Sequence, residues 1–485
     1  MRIESLTKSR VEWAERCLLL FFLARLMAVD ISGVVTNDSV GYLTASQNPL
    51  ANGFITQGYR QAAYPIWIHF CNYISNIFGW DIIFGVAMMQ RLIFAFGVVL
   101  IWRALRWWSI PLLFVATSAS LVAHVDFILT EGLLISLSLL LVGLLLTLIS
   151  KENRSIKNYR SLFTLIVFVV AVMSSIKLQY GALFLVAFSG AVTKPMYPKK
   201  VNMSSLYALS IGVLLIGLLA LFQGFENKEE LGVFTPVGEH ARAEWYGAWQ
   251  SVFKASPENQ DVIELQEYFS DGNLYVFLHG IEKEVPKYLE REILIKQRID
   301  EMFRIVGTSR SEQFLLAFRG ALEGGRTDDL AGLVSRDLRA EPYTPELRYT
   351  GNSVARNDGV DELLLRVNDG KVPEIISLEA LFHPFQRVGL SDFRTKKAMI
   401  NMLSIFILLG SVFVSGRHRY FAIGSLLSGG LIATLLATAY IDNARYLVVS
   451  MILYMAGATY VLREIYKRAP VVENEEEYDK KSNPC

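Results

Sequence analysis

The sequence predicts an all-α polytopic membrane protein with about 10 transmembrane helices and a mostly helical extracytoplasmic inserted domain. Three observations predict this fold class: a mean hydropathy of +0.34, ten long apolar runs, and two long polar stretches between them. The 485 residues are 52% hydrophobic and only 19% charged, a composition too apolar for a wholly soluble chain. The net charge of +1 offers no basic surplus to a phosphate backbone, so nucleic acid is not an expected partner.

Ten apolar runs have about the length of membrane-spanning helices. A helix of about 20 apolar residues crosses the hydrocarbon core, and several runs here are shorter, which favours tilted or bundled helices. The ten runs cover residues 17–35, 82–102, 107–124, 132–149, 162–176, 179–193, 205–222, 398–414, 420–439 and 446–462.

The distribution of basic residues predicts the orientation, because Lys and Arg in short loops stay cytoplasmic. With the amino terminus inside, 18 Lys and Arg residues fall in the short cytoplasmic pieces. Only 3, namely Arg60, Lys177 and Arg445, fall in the short outer pieces. Both termini are therefore expected in the cytoplasm.

The same pattern divides the chain into domains. The acidic stretch between the seventh and eighth runs contains an amphipathic helical pattern from Val285 to Val306, which predicts a folded helical insert. The predicted domains are an N-terminal membrane module at 1–223 with a first outer loop at 30–81, an extracytoplasmic inserted domain at 224–396, C-terminal transmembrane helices at 397–470 and a disordered cytoplasmic tail at 471–485.

Ionisable residues near the outer membrane face are the candidates for function, because placing them in or near hydrocarbon is costly. They occur in the first outer loop, in the short turn at 126–131, just before the sixth run and just before the tenth run. All four places lie on the same predicted side. A helical bundle could therefore bring their acids and bases together at one site.

Several short patterns at these places resemble one superfamily. They are Asp38 followed by Tyr42 and Tyr64-Pro65, Thr130-Glu131 opening a run, Lys177 followed by Gly181, and Arg445-Tyr446. This arrangement resembles the GT-C superfamily of integral-membrane glycosyltransferases, which take sugars from polyprenyl-phosphate carriers. Several GT-C families have two adjacent acids in the first loop, whereas this chain has Asp38-Ser39.

The resemblance implies a GT-C-like fold with an active site on the periplasmic or extracytoplasmic side. A bacterial inner (plasma) membrane is the expected location, because the sequence carries no eukaryotic sorting signal. The resemblance also implies transfer of a monosaccharide, hexosyl or pentosyl, from a polyprenyl-phosphate-linked donor to a glycan or lipid-linked saccharide acceptor. O-antigen of lipopolysaccharide or another cell-envelope glycan is the expected acceptor. A polysaccharide polymerase or ligase and a lipid-linked sugar transporter remain open alternatives.

The chemistry of such a transfer assigns roles to the candidates. Asp38 is the expected general base for the acceptor hydroxyl. The donor phosphate is expected to bind Arg60, Lys177 and Arg445. Asp126 and Glu131 are candidates to orient the acceptor, to supply a second acid or to hold a divalent cation, Mg or Mn. Sugar contacts are predicted for Tyr42, Tyr64, His240, Trp245 and Tyr246.

For several of these residues a purely structural role is the alternative. Asp38 could be an ordinary turn residue beside Asn37. Glu131 could act only on the helix dipole, and Lys177 could only anchor a helix end. Arg25, inside the first apolar run, is predicted to have a structural role and to pair with an outer acid such as Asp30.

Overall fold

The computed structural model describes nine continuous stretches of the chain, together with parts of 210–234 and a few isolated positions between 260 and 312. The continuous stretches are 2–28, 37–47, 63–126, 128–150, 156–193, 287–307, 393–414, 416–439 and 447–467. Within them the regular elements are helical, as the sequence predicts. Much of the predicted inserted domain and the predicted tail at 471–485 lie outside the described residues.

The described stretches form the following helices in chain order. They are α1 (Arg2–Ala28), α2 (Asn37–Gln47), α3 (Ala63–Phe78), α4 (Ile82–Leu105), α5 (Ile110–Ala116), α6 (Ala119–Val125), α7 (Thr130–Ser150), α8 (Ile156–Ile176), α9 (Leu183–Thr193), α10 (Tyr288–Val306), α11 (Phe393–Phe413), α12 (Gly416–Ala439) and α13 (Leu447–Tyr466). Two 3₁₀ segments, Arg106–Ser109 and Leu178–Ala182, precede α5 and α9.

Four helical segments in the described part are long and apolar enough to cross a membrane. They are Ile82–Ala116, Thr130–Ser150, Ser210–Glu229 and Val448–Tyr466. Shorter apolar helices accompany them at Ser161–Ile176, Gln179–Gly190 and Met399–Phe413. These helices indicate a membrane protein, while the number of ten spans stays a prediction.

The third predicted run, 107–124, is divided between two short helices, α5 and α6. A 3₁₀ segment leads into α5, whose early Pro111 lacks the N–H that a helix interior would need. The helix then stops at Thr117, whose hydroxyl donates to the Leu113 carbonyl at 2.8 Å. The chain therefore returns along α4 as two short helices.

Arg25 stabilises this interruption. Its Nη1 donates to the Phe114 carbonyl at 2.6 Å and to the Thr117 hydroxyl at 3.4 Å. Its guanidinium also lies 4.2 Å from the centre of the Phe114 ring. The structural role predicted for Arg25 thus includes a contact with the end of α5, whereas its predicted partner Asp30 lies outside the described residues.

Helices α4 and α7 form the centre of the bundle and run parallel. Gly97 of α4 faces the backbone of Leu139, and Gly143 of α7 faces Leu100 one turn further along. A Cβ on Gly97 would lie 2.7 Å from the Leu139 carbonyl carbon, so only glycine permits this approach. Because the two helices are parallel, their amino-terminal ends meet at the same end of the bundle.

The remaining helices complete the bundle around this pair. The Ser428 hydroxyl of α12 donates to the Ala182 carbonyl at 2.9 Å, which fixes α12 against the start of α9. Arg463 of α13 donates to the Ser150 hydroxyl at 3.1 Å, so α13 ends where α7 ends. Helix α8 runs back from that end, and the residue after it, Lys177, returns to the amino-terminal end of α7.

Helix α3 is amphipathic. Its buried residues Tyr64, Pro65, Ile68 and Cys71 face the bundle, and four large apolar or aromatic residues are exposed: Phe70, Tyr73, Ile77 and Phe78. An exposed apolar face of this kind suits a helix that lies against lipid. Helix α10 confirms the helix that the amphipathic pattern predicts within the insert.

Candidate functional site

Glu131 and Lys177 form an ion pair at the amino-terminal end of α7. Glu131 lies in the first turn of that helix, where the helix dipole favours a carboxylate. Lys177 lies in an extended link between α8 and the following 3₁₀ segment. Its ammonium is 2.5 Å from Glu131 Oε1, and Glu131 Oε2 accepts a 3.0 Å hydrogen bond from Thr130. Two residues predicted for one site are thus in contact.

This pair is partly accessible. The Lys177 side chain keeps 17% of its surface exposed, whereas the Glu131 side chain keeps 5%. A carboxylate and an ammonium at the border of a low-dielectric bundle interact more strongly than the same charges in water. The exposed side of Lys177 can be reached by an anion that arrives from outside the bundle.

Two predicted aromatic residues adjoin the pair. The rings of Tyr42 on α2 and Tyr64 on α3 pack edge to face, with centroids 5.0 Å apart and an interplanar angle of 89°. His69 Nδ1 lies 2.9 Å from the Ser46 carbonyl, which also joins α3 to α2. Glu131 is close enough to Tyr64 for its charge to act on the tyrosine hydroxyl. We call Tyr42, Tyr64, Glu131 and Lys177 the Glu131 cluster.

The electrostatics keep Tyr64 neutral. Burial raises the pKa of the Tyr64 hydroxyl well above its ordinary value of 10.0, and the nearby Tyr42, Cys71 and Glu131 raise it further. Helix α3, which carries Tyr64, is not among the candidate membrane spans. At neutral pH this hydroxyl is therefore protonated and is available as a hydrogen-bond donor.

Asp38 belongs to the helix that packs on this cluster. It is the second residue of α2 and precedes Tyr42 by one helical turn. The first outer loop is thus helical at this point, and Asp38 is not in the irregular turn that its structural competitor assumed. Its backbone is described, whereas its side chain lies outside the described part of the structure.

Asp126 has a cationic partner that the sequence did not predict. Arg91 of α4 binds it with two hydrogen bonds, Nε to Oδ1 at 2.7 Å and Nη2 to Oδ2. Arg91 Nη1 also donates to the Leu26 carbonyl at 3.2 Å, and Gln90 Nε2 donates to the Val125 carbonyl at 2.6 Å. The signal that could have revealed Arg91 is its position, because a cation inside an apolar run needs a partner.

The other candidate site residues lie outside the described residues. They are Arg60, Arg445, His240, Trp245 and Tyr246. Among the described residues, there is no group of three or more His, Cys, Asp and Glu that could hold a metal ion. A divalent cation, Mg or Mn, therefore stays a prediction for Asp126 and Glu131.

Comparison of the chain with protein-family models, curated proteins and solved structures gives no match. The chemistry of the Glu131 cluster is thus the basis for inferring a function. The cluster combines an accessible ammonium, a carboxylate and a neutral phenol at one end of an apolar bundle. Such a set can bind an anionic headgroup whose apolar tail lies beside the protein.

Proposed function

We propose that the chain is an integral-membrane glycosyltransferase of GT-C type. It moves a monosaccharide from a polyprenyl-phosphate carrier to an extracytoplasmic acceptor, O-antigen or another envelope glycan. The observation that supports this proposal most strongly is the Glu131–Lys177 pair beside the helix that carries Asp38. A lipid-phosphate transferase needs these groups together, a base for the acceptor and a cation for the leaving phosphate.

The reaction assigns a role to each group. The acceptor hydroxyl oxygen attacks the anomeric carbon and gives its proton to the Asp38 carboxylate. The bond from the anomeric carbon to the phosphate oxygen breaks, and the electron pair leaves with the polyprenyl phosphate. Lys177 balances the negative charge that develops there, because its ammonium is a compact donor. Arg60 and Arg445 are proposed to assist it.

Glu131 is the better candidate for the second acid. Asp126 already accepts two hydrogen bonds from the buried Arg91 guanidinium. Glu131 accepts a hydrogen bond from the partly exposed Lys177. A phosphate that binds there would share the Lys177 ammonium with Glu131 and leave the Glu131 carboxylate beside the acceptor. Either acid could still hold a divalent cation if the enzyme needs one.

The carrier's isoprenoid tail has an apolar surface to follow. On α3, Phe70, Tyr73 and Ile77 are exposed on the side away from the bundle. Their spacing of three and four residues places them along one face of the helix. A tail lying along this face would bring the phosphate towards the start of α3, where Tyr64 adjoins Glu131.

The test is Asp38→Asn in a strain whose only copy of the gene is the variant. We expect loss of one monosaccharide from the surface glycan and accumulation of the lipid-linked sugar, with transfer reduced about 100-fold or more. Mass spectrometry of both pools measures this. Asp300→Asn, the same chemical change on the exposed face of α10, is the matched control. An unchanged glycan contradicts the proposal, and loss of chain length alone indicates a polymerase.

A lipid-linked sugar transporter is the second candidate. The buried Arg91–Asp126 pair and the interruption between α5 and α6 favour it, because transporters use intramembrane charges and broken helices. Vesicles that contain the purified protein and a fluorescent polyprenyl-phosphate sugar separate the two functions. A transporter moves the label across the bilayer and leaves the sugar attached, whereas a transferase releases the sugar to an acceptor.

A further inference from the structure

Tyr64 carries a buried hydroxyl that has no hydrogen-bond partner among the described residues. Its side chain is 0% exposed, and its hydroxyl makes no hydrogen bond within the described part of the protein. Trp67, one turn further along α3, has a buried Nε1 that also makes no hydrogen bond within the described residues. An unmade hydrogen bond of a buried polar group costs about 1–3 kcal/mol. Two such donors on one helix could be completed by a hydrogen-bond acceptor on a bound ligand.

Those neighbours of Tyr64 that the structure describes do not supply an acceptor. The rings of Tyr42 and Tyr64 meet edge to face, and Cys71 stays a neutral thiol because burial raises its pKa above the ordinary value. Both carboxylate oxygens of Glu131 already accept hydrogen bonds, one from Lys177 and one from Thr130.

We propose that the Tyr64 hydroxyl is a binding residue for the headgroup of the lipid donor, where it donates to a phosphate oxygen whose charge Lys177 balances. This inference rests on the proposed function and names the ligand class of the same site as a polyprenyl phosphate. The Tyr42 ring packs against Tyr64 and is itself only half-buried, so a ligand would approach the hydroxyl from that side.

A phosphate suits this set of groups better than a sugar hydroxyl does. Lys177 and Trp67 can only donate hydrogen bonds, and neutral Tyr64 has its proton unused. Phosphate oxygens only accept hydrogen bonds, so one anion can accept from several of these donors. A sugar hydroxyl brings a proton of its own and would need an acceptor as well.

The experiment measures lipid binding by purified protein in nanodiscs. Farnesyl phosphate is the probe, and farnesol and inorganic phosphate are the comparison ligands. We expect Tyr64→Phe to bind farnesyl phosphate about tenfold more weakly than the unsubstituted chain, because a hydrogen bond to a charged group is lost. Binding of farnesol should not change. Trp67→Phe should weaken the same probe in the same direction.

The matched control is Tyr460→Phe on α13. That tyrosine is also buried, but its hydroxyl lies within hydrogen-bond distance of His418 Nδ1. Tyr460→Phe should therefore lower thermal stability and leave the Kd for farnesyl phosphate unchanged. Tyr64→Phe removes an unpartnered hydroxyl and should keep or raise thermal stability.

The outcomes separate this inference from the proposed function. Equal Kd values for Tyr64→Phe and the unsubstituted chain overturn the role of Tyr64 and leave the transferase proposal standing. Inorganic phosphate that binds as tightly as farnesyl phosphate overturns the assignment to a lipid. If the unsubstituted chain does not bind farnesyl phosphate, both proposals fail. Asp38→Asn should bind the probe normally even though it does not transfer sugar.

Discussion

Two ion pairs lie close together in the chain and differ in their access to solvent. In the Arg91–Asp126 pair the side chains are 0% and 5% exposed, and the guanidinium also binds the α1 backbone. In the Glu131–Lys177 pair the exposed fractions are 5% and 17%. The acids are equally covered, so the bases make the difference. The buried pair, with two hydrogen bonds between its side chains, holds neighbouring helices together. The partly exposed ammonium of Lys177 makes one contact with Glu131 and can also bind a ligand.

The partners also differ in their chemistry. The planar guanidinium of Arg91 matches the carboxylate of Asp126 with two parallel hydrogen bonds, so its orientation is fixed. The Lys177 ammonium contacts Glu131 Oε1 and can reorient about its long stem. A protein that must hold one acid and use the other therefore has suitable bases at both positions.

The largest expected effect comes from Arg91→Met. This change leaves Asp126 buried without its cation and should lower the free energy of unfolding by about 3–5 kcal/mol. Thermal unfolding in detergent measures it. The double variant Arg91→Met with Asp126→Leu should recover much of the loss, because no buried charge is left. If Arg91→Met is as stable as the unsubstituted chain, the pair does not hold the bundle together.

A smaller change in stability and a large change in function are expected for Lys177→Met. Glu131 keeps its hydrogen bond from the Thr130 hydroxyl, and the ammonium that is removed is partly exposed, so the loss of stability should be roughly 1–2 kcal/mol. Binding of farnesyl phosphate and sugar transfer should both fall about tenfold or more. Parallel melts and binding titrations test this. A loss of stability as large as that of Arg91→Met would remove the contrast between the two pairs.

The smallest effect concerns a third buried carboxylate, Asp81, which caps α4. Its Oδ1 accepts from the Phe84 N–H at 2.9 Å, and its Oδ2 makes no hydrogen bond within the described part of the chain. Asp81→Ala should cost about 1 kcal/mol through the lost cap, and Asp81→Asn much less. Unfolding by denaturant measures both, and equal losses would contradict the capping role.

Asp81 also predicts a pH dependence. Burial raises its pKa above the ordinary 3.8, although hydrogen bonds from Phe84 and Ile83 act in the other direction. The folded protein then binds this proton more tightly than the unfolded chain does. Its stabilising contribution is present below the ordinary pKa and is lost as the pH rises through the raised pKa. Asp81→Asn should remove this part of the pH dependence, and an unchanged profile would assign it to other groups.

The sequence predicted well what depends on local composition. Uninterrupted apolar runs predicted α4 and α7. The positions of Glu131 and Lys177 at helix ends predicted that they could meet. The sequence predicted less well the position at which polar contacts interrupt an apolar run. Arg25 contacts the Phe114 carbonyl at such an interruption, and these two residues are 89 positions apart in the chain.

By itself the sequence determined that the chain forms apolar helices and that acidic and basic residues stand at their ends, since hydrophobicity and helix length are properties of each segment alone. Only the tertiary structure decided which acid takes which base. The return of α5 and α6 along α4 brings Asp126 to Arg91, 35 residues away. The return of α8 brings Lys177 to Glu131 across 46 residues. Such pairings follow from helix packing, because Coulomb attraction and hydrogen bonding depend on distances that the order of residues does not specify.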